Sequence, residues 1–421
     1  MPHPGKPSLW SLLVLTLCLC GCDEKPQGRN IKGDISVEAL EVGPRVIEPA
    51  MSNFLNTNDL AGGVGLVVSP QKTVVIEAFG YADINEYRKM QTGTLFWIAS
   101  MTKPMTAVAF MTLVEEGKVS LDDPIEKYIP AFRGQKYLIT DAKGNKTLTT
   151  PKRPVCVRDL LTHTHGLSSS IIKDSRNSNR AIDLESLEHY TQDCASQPLS
   201  AEPGTQWNYS NLGFIVLGRI IEVVSGQTYG DFMQSRLFQP LEMTNTTFWP
   251  TPEQCQRMAT AYRRDNATNK LIRIENPRFT YPLDNPGRTP LPSGGLFSTG
   301  PDLSHFYQMI LNEGNFKGKS LIRPETLRLM ITNQLGDMPK VGWTPGLTMG
   351  LGFQCVKTPT GVTDGLNVGT FGHGGAYGTE AWVDPIRKRA YILLIQRSDL
   401  ENPDDSEMRL TFQKAALQII K

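Results

Sequence analysis

The stretch at residues 98–117, IASMTKPMTAVAFMTLVEEG, constrains the fold more than any other part of this 421-residue sequence. Its apolar residues recur at helical spacing along one side and also cover most of the other sides. A helix that is apolar nearly all round lies in the interior of a domain. Because proline is tolerated only in a first helical turn, Pro104 fixes the start of this buried helix close to Ser100.

Ser100 and Lys103 stand three positions apart at this helix start, and residues three apart share a helix face. We therefore expect the lysine amine beside the serine hydroxyl. A serine hydroxyl becomes a good nucleophile when a base takes its proton, and burial lowers the pKa of a lysine so that its neutral amine can be that base. The same Ser-x-x-Lys spacing at Ser69 and Ser170 falls in a predicted turn and a Ser-rich loop. A helix N-cap is the structural alternative for Ser100.

The N-terminus has the pattern of an export signal. Lys6 precedes an apolar run at residues 9–19, which is too short to span a bilayer and fits a signal-peptide core. The following Leu-Cys-Gly-Cys resembles a bacterial lipobox, which implies that Cys22 is acylated and that the lipid attaches the protein to a membrane outside the cytoplasm. An ordinary cleaved signal is the alternative. Asp23 resembles an inner-membrane retention signal, and the choice between inner and outer membrane stays open.

The N-terminal pattern divides the sequence into three predicted segments. Residues 1–22 are predicted to be the lipoprotein signal with its lipobox cysteine, residues 23–36 a polar tether, and residues 37–421 the folded domain. The formal net charge of +1 gives no reason to expect a nucleic-acid partner. Four cysteines fall in the folded part without a Cys-x-x-Cys pair, so no zinc cluster is expected. Export permits their oxidation, with three pairings possible among Cys156, Cys194, Cys255 and Cys355.

Strand patterns occur near both ends of the domain, and helical patterns fill its middle. Chain ends usually lie close together, so we predict an α+β fold: one antiparallel sheet from N- and C-terminal strands, flanked by helices, with a mostly helical insertion at about residues 101–260. Ser100 then falls at the junction, where clefts form. Residues 266–292, rich in Pro, Arg and Asn, predict a long loop over the site. Two predicted hairpins supply the sheet, residues 63–68 with 74–79 and residues 379–383 with 390–396.

Several further motifs follow the Ser100 helix in a fixed order. Together they resemble the β-lactamase-related serine hydrolases, a group that includes class C β-lactamases, penicillin-binding DD-peptidases, D-aminopeptidases and β-lactamase-like esterases. The resemblance covers about residues 60–400 and implies a β-lactamase/transpeptidase-like fold. The motifs are Asp159-Leu160-Leu161-Thr162-His163-Thr164, Pro203-Gly204, Tyr209-Ser210-Asn211 and His373-Gly374-Gly375.

The resemblance also implies roles for residues. Ser100 would attack an ester, amide or lactam carbonyl and form an acyl-enzyme, while Lys103 and Tyr209 would share the proton transfers. Which of the two is the general base stays open. Asn211 would donate to a substrate amide, or alternatively only cap its helix. The backbone N–H groups of Ser100 and Ala376 would form the oxyanion hole.

The third motif departs from the β-lactamase pattern. His373 stands where β-lactamases of this type carry a lysine that attracts the carboxylate of the drug, and a histidine is mostly neutral at pH 7. Efficient β-lactam turnover is therefore not expected. Gly374 and Gly375 would let a substrate lie against the strand. His163 and His165 lack a following Asp-x-His pattern, so we assign them structural roles and expect no metal.

The sequence thus predicts an exported, lipid-anchored serine hydrolase that needs no cofactor, metal or nucleotide. Its substrate would be a small ester or a D-amino-acid amide or peptide. The sequence contains no Gly-x-Ser-x-Gly motif, which excludes an α/β-hydrolase. The Gly-rich residues 314–320 are one position short of a nucleotide-binding loop, so no nucleotide site is expected there. The alternatives are a non-catalytic cell-wall- or penicillin-binding lipoprotein and a weak class C-like β-lactamase.

Overall fold

The computed structural model describes residues 45–168 and 183–419. The predicted signal, Cys22 and the tether lie outside these residues, as does Ser170. In the described chain, no helix has both the length and the apolar character needed to cross a membrane.

The helices of the described residues are short to medium in length and lie mostly between the two groups of strands. They are α1 (Ile47–Asn56), α2 (Thr102–Glu115), α3 (Val157–Leu161), α4 (Leu187–Ser196), α5 (Asn211–Ser225), α6 (Tyr229–Met233), α7 (Pro252–Gln256), α8 (Gly300–Leu311), α9 (Pro324–Met330) and α10 (Glu407–Gln418).

The strands belong to one large sheet and four two-stranded ones. They are β1 (Gly62–Val68), β2 (Thr73–Asp83), β3 (Arg88–Lys89), β4 (Phe96–Trp97), β5 (Tyr137–Thr140), β6 (Lys146–Thr149), β7 (Ala261–Asp265), β8 (Lys270–Ile274), β9 (Phe297–Ser298), β10 (Asn315–Phe316), β11 (Lys319–Ser320), β12 (Leu347–Met349), β13 (Gln354–Val356), β14 (Phe371–Gly374), β15 (Glu380–Asp384) and β16 (Arg389–Ile395).

The large sheet has eight strands in the order β12-β13-β14-β15-β16-β1-β2-β3, and neighbouring strands run antiparallel. At its centre an N-terminal strand pairs with a C-terminal one, with Gly63 opposite Ile395 and Val68 opposite Ala390. The predicted α+β fold, with a sheet built from both ends of the chain, is confirmed. Both predicted hairpins are present as β1–β2 and β15–β16.

Successive side chains of a strand point to opposite faces of the sheet. Both faces of this sheet are apolar, and helices cover each of them. In β1, Val64 and Leu66 pack in the core that contains α2 and α8. Val67 points the other way, into a second core formed with α1 and α10. The sheet is thus the middle layer between two apolar cores, and the Ser100 end of α2 lies on one of its faces.

The predicted buried helix is α2, whose residues from Thr102 to Leu113 are all buried. Its start differs from the prediction by two residues. Ser100 lies in a 3-10 turn, Ala99–Met101, that precedes the α-helix. The N-cap position belongs to Met101, so the N-cap alternative for Ser100 is wrong.

The predicted loop at residues 266–292 is wrong in its first part, where β8 pairs with β7. Two isoleucines give β8 the β-branched residues that favour a strand, and Asn269, with φ of 55°, supplies the left-handed residue of the turn. The rest of the segment has no helix or strand. The four cysteines of the domain are free thiols in this structure.

Candidate active site

Ser100 is held at the bend between β4 and α2. Ala99 before it adopts φ of 46°, a left-handed conformation that costs a non-glycine residue about 1 kcal/mol or more. The turn between β14 and β15 supports the bend from the side, where Thr379 Oγ1 donates to the Ile98 carbonyl oxygen at 3.2 Å. The bend leaves Ser100 partly exposed while both of its chain neighbours are buried.

Lys103 lies one turn further along with none of its surface exposed. Its Nζ is 3.0 Å from Ser100 Oγ, as the spacing predicts. It also donates to Asn211 Oδ1 at 2.9 Å and to the Ser293 carbonyl oxygen at 2.6 Å. Three oxygens therefore surround the amine, one from the same turn of the chain and two from distant segments.

Burial is the main cause that places the pKa of Lys103 well below its usual value, and the charge of Arg278 lowers that pKa further. A neutral amine has two N–H groups and one lone pair. The two carbonyl-type oxygens can only accept, so they take the two N–H groups and leave the lone pair for the Ser100 hydroxyl. These contacts fit a base that accepts the serine proton.

Tyr209 comes from the segment before α5, and its hydroxyl donates to Ser100 Oγ at 2.8 Å. Lys103 Nζ lies 4.8 Å from the centre of the Tyr209 ring. Burial raises the pKa of Tyr209 well above its usual value, so the group is a neutral phenol at pH 7. The structure therefore brings together all three residues that the sequence assigned to proton transfer and nucleophilic attack.

Asn211 is the first residue of α5, and the N-cap is its neighbour Ser210, whose Oγ accepts from the Leu212 N–H at 3.1 Å. The helix-cap alternative for Asn211 is therefore wrong. Its side chain instead lines a narrow pocket beside Ser100. There its amide oxygen holds Lys103.

His373 lies in β14 on the same side of the sheet, with its ring 6.0 Å from that of Tyr209. Its Nδ1–H donates to the Gly374 carbonyl oxygen at 2.7 Å. Burial, with a smaller contribution from the charge of Lys103, lowers the pKa of His373 to about 4. The ring is therefore neutral at pH 7, as the sequence suggests.

The glycines after His373 allow close packing at the end of β14. A Cβ on Gly375 would lie 2.6 Å from the Ile98 carbonyl oxygen, and one on Gly374 would lie 1.8 Å from Asp404 Oδ1. The strand backbone thus fits between the Ser100 bend and a buried carboxylate. Ala376, whose N–H was assigned to the oxyanion hole, packs against the apolar cluster that contains Ala99, the residue before Ser100.

Three contributors were not assigned to this site from the sequence, although His163 was expected to have a structural role. The Ser293 carbonyl gives no signal in a side-chain pattern. His163 accepts from the Ser210 N–H at 3.3 Å, and its ring centre is 4.6 Å from that of Tyr209, so it positions the tyrosine. Arg278 lines the pocket with Ser100, but it comes from an irregular segment in which no local pattern marks it.

His165 has a structural contact, since its Nδ1 accepts from the Leu167 N–H at 2.9 Å. Throughout residues 45–168 and 183–419, no group of three or more His, Cys, Asp or Glu side chains is placed to hold a metal ion. The other described Ser-x-x-Lys match is a turn in which Ser69 Oγ donates to the Lys72 carbonyl oxygen at 2.9 Å.

Comparison with known proteins gives a match to the family model described as Beta-lactamase over residues 47–416. An uncharacterised protein of Mycobacterium tuberculosis is 33% identical over 355 residues, covering 80% of this chain and 86% of that protein. Esterase EstB of Burkholderia gladioli is 28% identical over 379 residues, covering 85% of this chain and 91% of the esterase.

Solved structures have the same fold. EstCE1, described as a hydrolase with promiscuous acyltransferase activity, superposes with a TM-score of 0.74 at 22% identity, covering 88% of this chain and 97% of its own. A variant of the simvastatin synthase of Aspergillus terreus superposes with a TM-score of 0.72 at 21% identity, covering 89% and 96%.

Proposed function

The chain belongs to the beta-lactamase family, and from that premise we propose that it is a serine hydrolase that cleaves small esters through an acyl-enzyme. One observation carries the proposal: Ser100 Oγ lies within hydrogen-bonding distance of both Lys103 Nζ, at 3.0 Å, and the Tyr209 hydroxyl, at 2.8 Å. A nucleophile, a base and a proton donor thus converge on one atom.

In the first step, the Ser100 hydroxyl gives its proton to the lone pair of Lys103 while Oγ bonds to the ester carbonyl carbon. The negative charge that forms on the carbonyl oxygen is stabilised by the N–H groups of Ser100 and Ala376. The bond to the alcohol then breaks, and the leaving oxygen takes a proton from Tyr209, which Lys103 restores. The products are the acyl-enzyme and a free alcohol.

In the second step, water attacks the acyl-enzyme. The water proton passes to Lys103, the same N–H groups stabilise the second tetrahedral intermediate, and Ser100 recovers its proton as the acid leaves. Because burial lowers the pKa of Lys103 and raises that of Tyr209, we assign the base role to Lys103 and the acid role to Tyr209.

The neutral ring of His373 favours esters over β-lactams. Its pKa of about 4 leaves no positive charge at the position where the resembling β-lactamases hold one for the drug carboxylate. The 28% identity to a protein named as an esterase also supports an ester substrate. A weak β-lactamase activity ranks below esterase activity for the same reason.

Arg278 favours a second candidate substrate. It lines the pocket beside Ser100, and a guanidinium is the usual partner of a carboxylate. A D-amino-acid peptide has such a carboxylate at its C-terminus. Cleavage of D-amino-acid peptides, the DD-peptidase activity, is therefore the second candidate function. Because the charge of Arg278 also lowers the pKa of Lys103, Arg278→Gln would affect both substrates at neutral pH, but it would reduce peptide cleavage at least about tenfold more than cleavage of neutral esters.

We also propose that the protein is exported and anchored by a lipid on Cys22, as the N-terminal pattern suggests. Metabolic labelling with a fatty-acid analogue tests this in a bacterial host. Wild type should be labelled and found in the membrane fraction, and Cys22→Ser should lose the label. Equal labelling of the two proteins contradicts the anchor.

The central experiment uses a fluorophosphonate label together with a substrate panel of p-nitrophenyl acetate, a D-alanyl-D-alanine peptide and a chromogenic cephalosporin. We expect labelling of wild type and of Ser69→Ala, no labelling of Ser100→Ala, and turnover of the ester. A folded wild type that takes no label and cleaves none of the substrates would contradict the hydrolase proposal and support the alternative of a non-catalytic binding protein. Rapid cephalosporin hydrolysis alone overturns the substrate ranking.

A further inference from the structure

A cavity of about 390 Å³ lies next to the Ser100 pocket, between the β7–β8 hairpin and the aromatic side chains around Trp97. Its volume falls within the range of small-molecule sites. The reaction described above needs only the narrow pocket at Ser100, so the chemistry leaves this larger space unexplained.

The cavity and the Ser100 pocket share two wall residues, Trp97 and Phe279. Trp97 stands three residues before Ser100 and meets Phe279 edge to face at 5.5 Å. On its other side it meets Tyr377, the residue after Ala376, at 4.7 Å. Aromatic rings therefore line the border at which the cavity meets the pocket of the atoms expected to react.

Asn276 lines the cavity and is only 8% exposed. Its Oδ1 accepts from the Arg278 N–H at 3.1 Å, which fixes the orientation of the amide. Its Nδ2 has no hydrogen-bond partner among the residues that the structure describes. A buried donor without an acceptor is unfavourable, so this N–H is suited to an oxygen supplied by a ligand.

Five charged side chains line the wall, namely Asp83, Glu86, Arg88, Arg273 and Glu275, and four of them form two pairs. Arg273 lies 3.5 Å from Asp83, and Arg88 lies 4.0 Å from Glu86. With most of these charges paired, the aromatic part of the wall and the neutral amide donor decide which group the cavity favours. They suit an aromatic group that carries an acceptor oxygen.

We propose that this cavity is a specificity subsite that receives a neutral aryl group of the ester, and that Asn276 donates to an ether or carbonyl oxygen on that group. The inference rests on the proposed function and names its substrate class. The aryl group can belong to the acyl side or the alcohol side of the ester, and the experiment separates the two.

The test compares wild type with Ala261→Trp, which fills the cavity, and Asn276→Asp, which keeps the acceptor for Arg278 but removes the donor. The matched control is Thr150→Trp, placed in a separate cavity of about 220 Å³ that Ser100 does not line. Ethyl acetate is the small reference ester. Ethyl phenylacetate carries its aryl group on the acyl side (the acyl arm of the test), and 2-naphthyl acetate carries it on the alcohol side (the alcohol arm). A methoxy derivative of each aryl ester is measured as well.

We expect Ala261→Trp to lower kcat/KM at least tenfold for the aryl esters of one arm and to leave ethyl acetate within twofold. Asn276→Asp should remove the preference for the methoxy derivative of that arm. Thr150→Trp should behave as wild type. Equal losses on small and large esters, or no loss on either arm, overturn the subsite.

Failure of the proposed function gives a different result. If wild type hydrolyses none of the esters, binding of the methoxy aryl esters to Ser100→Ala is measured by calorimetry. Binding that Ala261→Trp abolishes supports the cavity as a ligand site while the hydrolase proposal fails. Absence of binding overturns both.

Discussion

The reactivity of single residues at this site depends on what surrounds Lys103. Its amine has no exposed surface and contacts two obligatory acceptors and one hydroxyl. Burial keeps the pKa of the amine well below its usual value. Lys103 is therefore suited to accept the Ser100 proton, whereas the raised pKa of Tyr209 keeps the phenol protonated, so that it is available to a strongly basic leaving alkoxide.

Loss of the base tests this arrangement at the residue scale. We expect Lys103→Ala to lower kcat/KM for p-nitrophenyl acetate by about 10²–10⁴-fold. Lys103→Arg should be no more active, because a guanidinium stays protonated. Lys72→Ala is the matched control, since Lys72 belongs to an exposed Ser-x-x-Lys turn. Wild-type turnover by Lys103→Arg would contradict the base assignment.

The pH profile is a second test of the same residue. The active form requires neutral Lys103, so kcat/KM should rise with pH through the lowered pKa of Lys103 and be substantial at pH 7. Because the pKa of His373 is about 4, His373 should add no step near its usual value of about 6.5. A steady-state profile with an ester substrate measures both features. Activity that appears only near pH 10 would mean that Lys103 has an ordinary pKa.

Among the elements, strand β14 and the Ser100 bend are fitted together by close backbone packing. Gly374 lies over the carboxyl groups of Asp404 and Glu380, and both of these side chains are almost completely buried. Glu380 is also the cross-strand partner of Gly374. The position of the predicted oxyanion donor at Ala376 thus depends on a residue without a side chain at position 374.

A methyl group at that position should shift the strand. A Cβ on Gly374 would lie 1.8 Å from Asp404 Oδ1, so we expect Gly374→Ala to lower kcat at least about 10²-fold through displacement of the end of β14. Gly93→Ala is the control, because the atom nearest to its Cβ would be 3.9 Å away. Circular dichroism checks that both variants fold. Unchanged kcat in folded Gly374→Ala would show that the position of the strand end does not limit catalysis.

Across the whole molecule, the interior holds several histidines in the neutral state. Burial lowers the pKa of His165 to about 4 and keeps that of His163 well below its usual value. An unfolded chain takes up these protons near pH 6.5, but the folded chain does not. The contribution to stability is therefore complete above about pH 6.5 and is lost as the pH falls toward 4.

Urea unfolding at two pH values tests this linkage. On lowering the pH from about 7 to about 4.5, the lowered pKa of His165 should remove on the order of 2–3 kcal/mol from the free energy of unfolding. His165→Asn should lose correspondingly less than wild type over this interval. His189→Asn, at a half-exposed histidine, is the control. An identical pH dependence in wild type and His165→Asn would contradict the buried neutral assignment.

The sequence by itself determined the buried helix, the two hairpins of the sheet and the Ser100–Lys103 contact, because hydrophobic period and helical spacing are local properties of a chain. The ordered motifs also placed Tyr209 and His373 in the same family pattern. Only the tertiary structure decided that Ser100 sits in a 3-10 turn, that Asn211 and the Ser293 carbonyl hold the amine, and that Arg278 and the aromatic cavity border the site. Those contacts join segments up to 190 residues apart, and no local pattern encodes which distant backbone oxygen or loop side chain the packing will bring there.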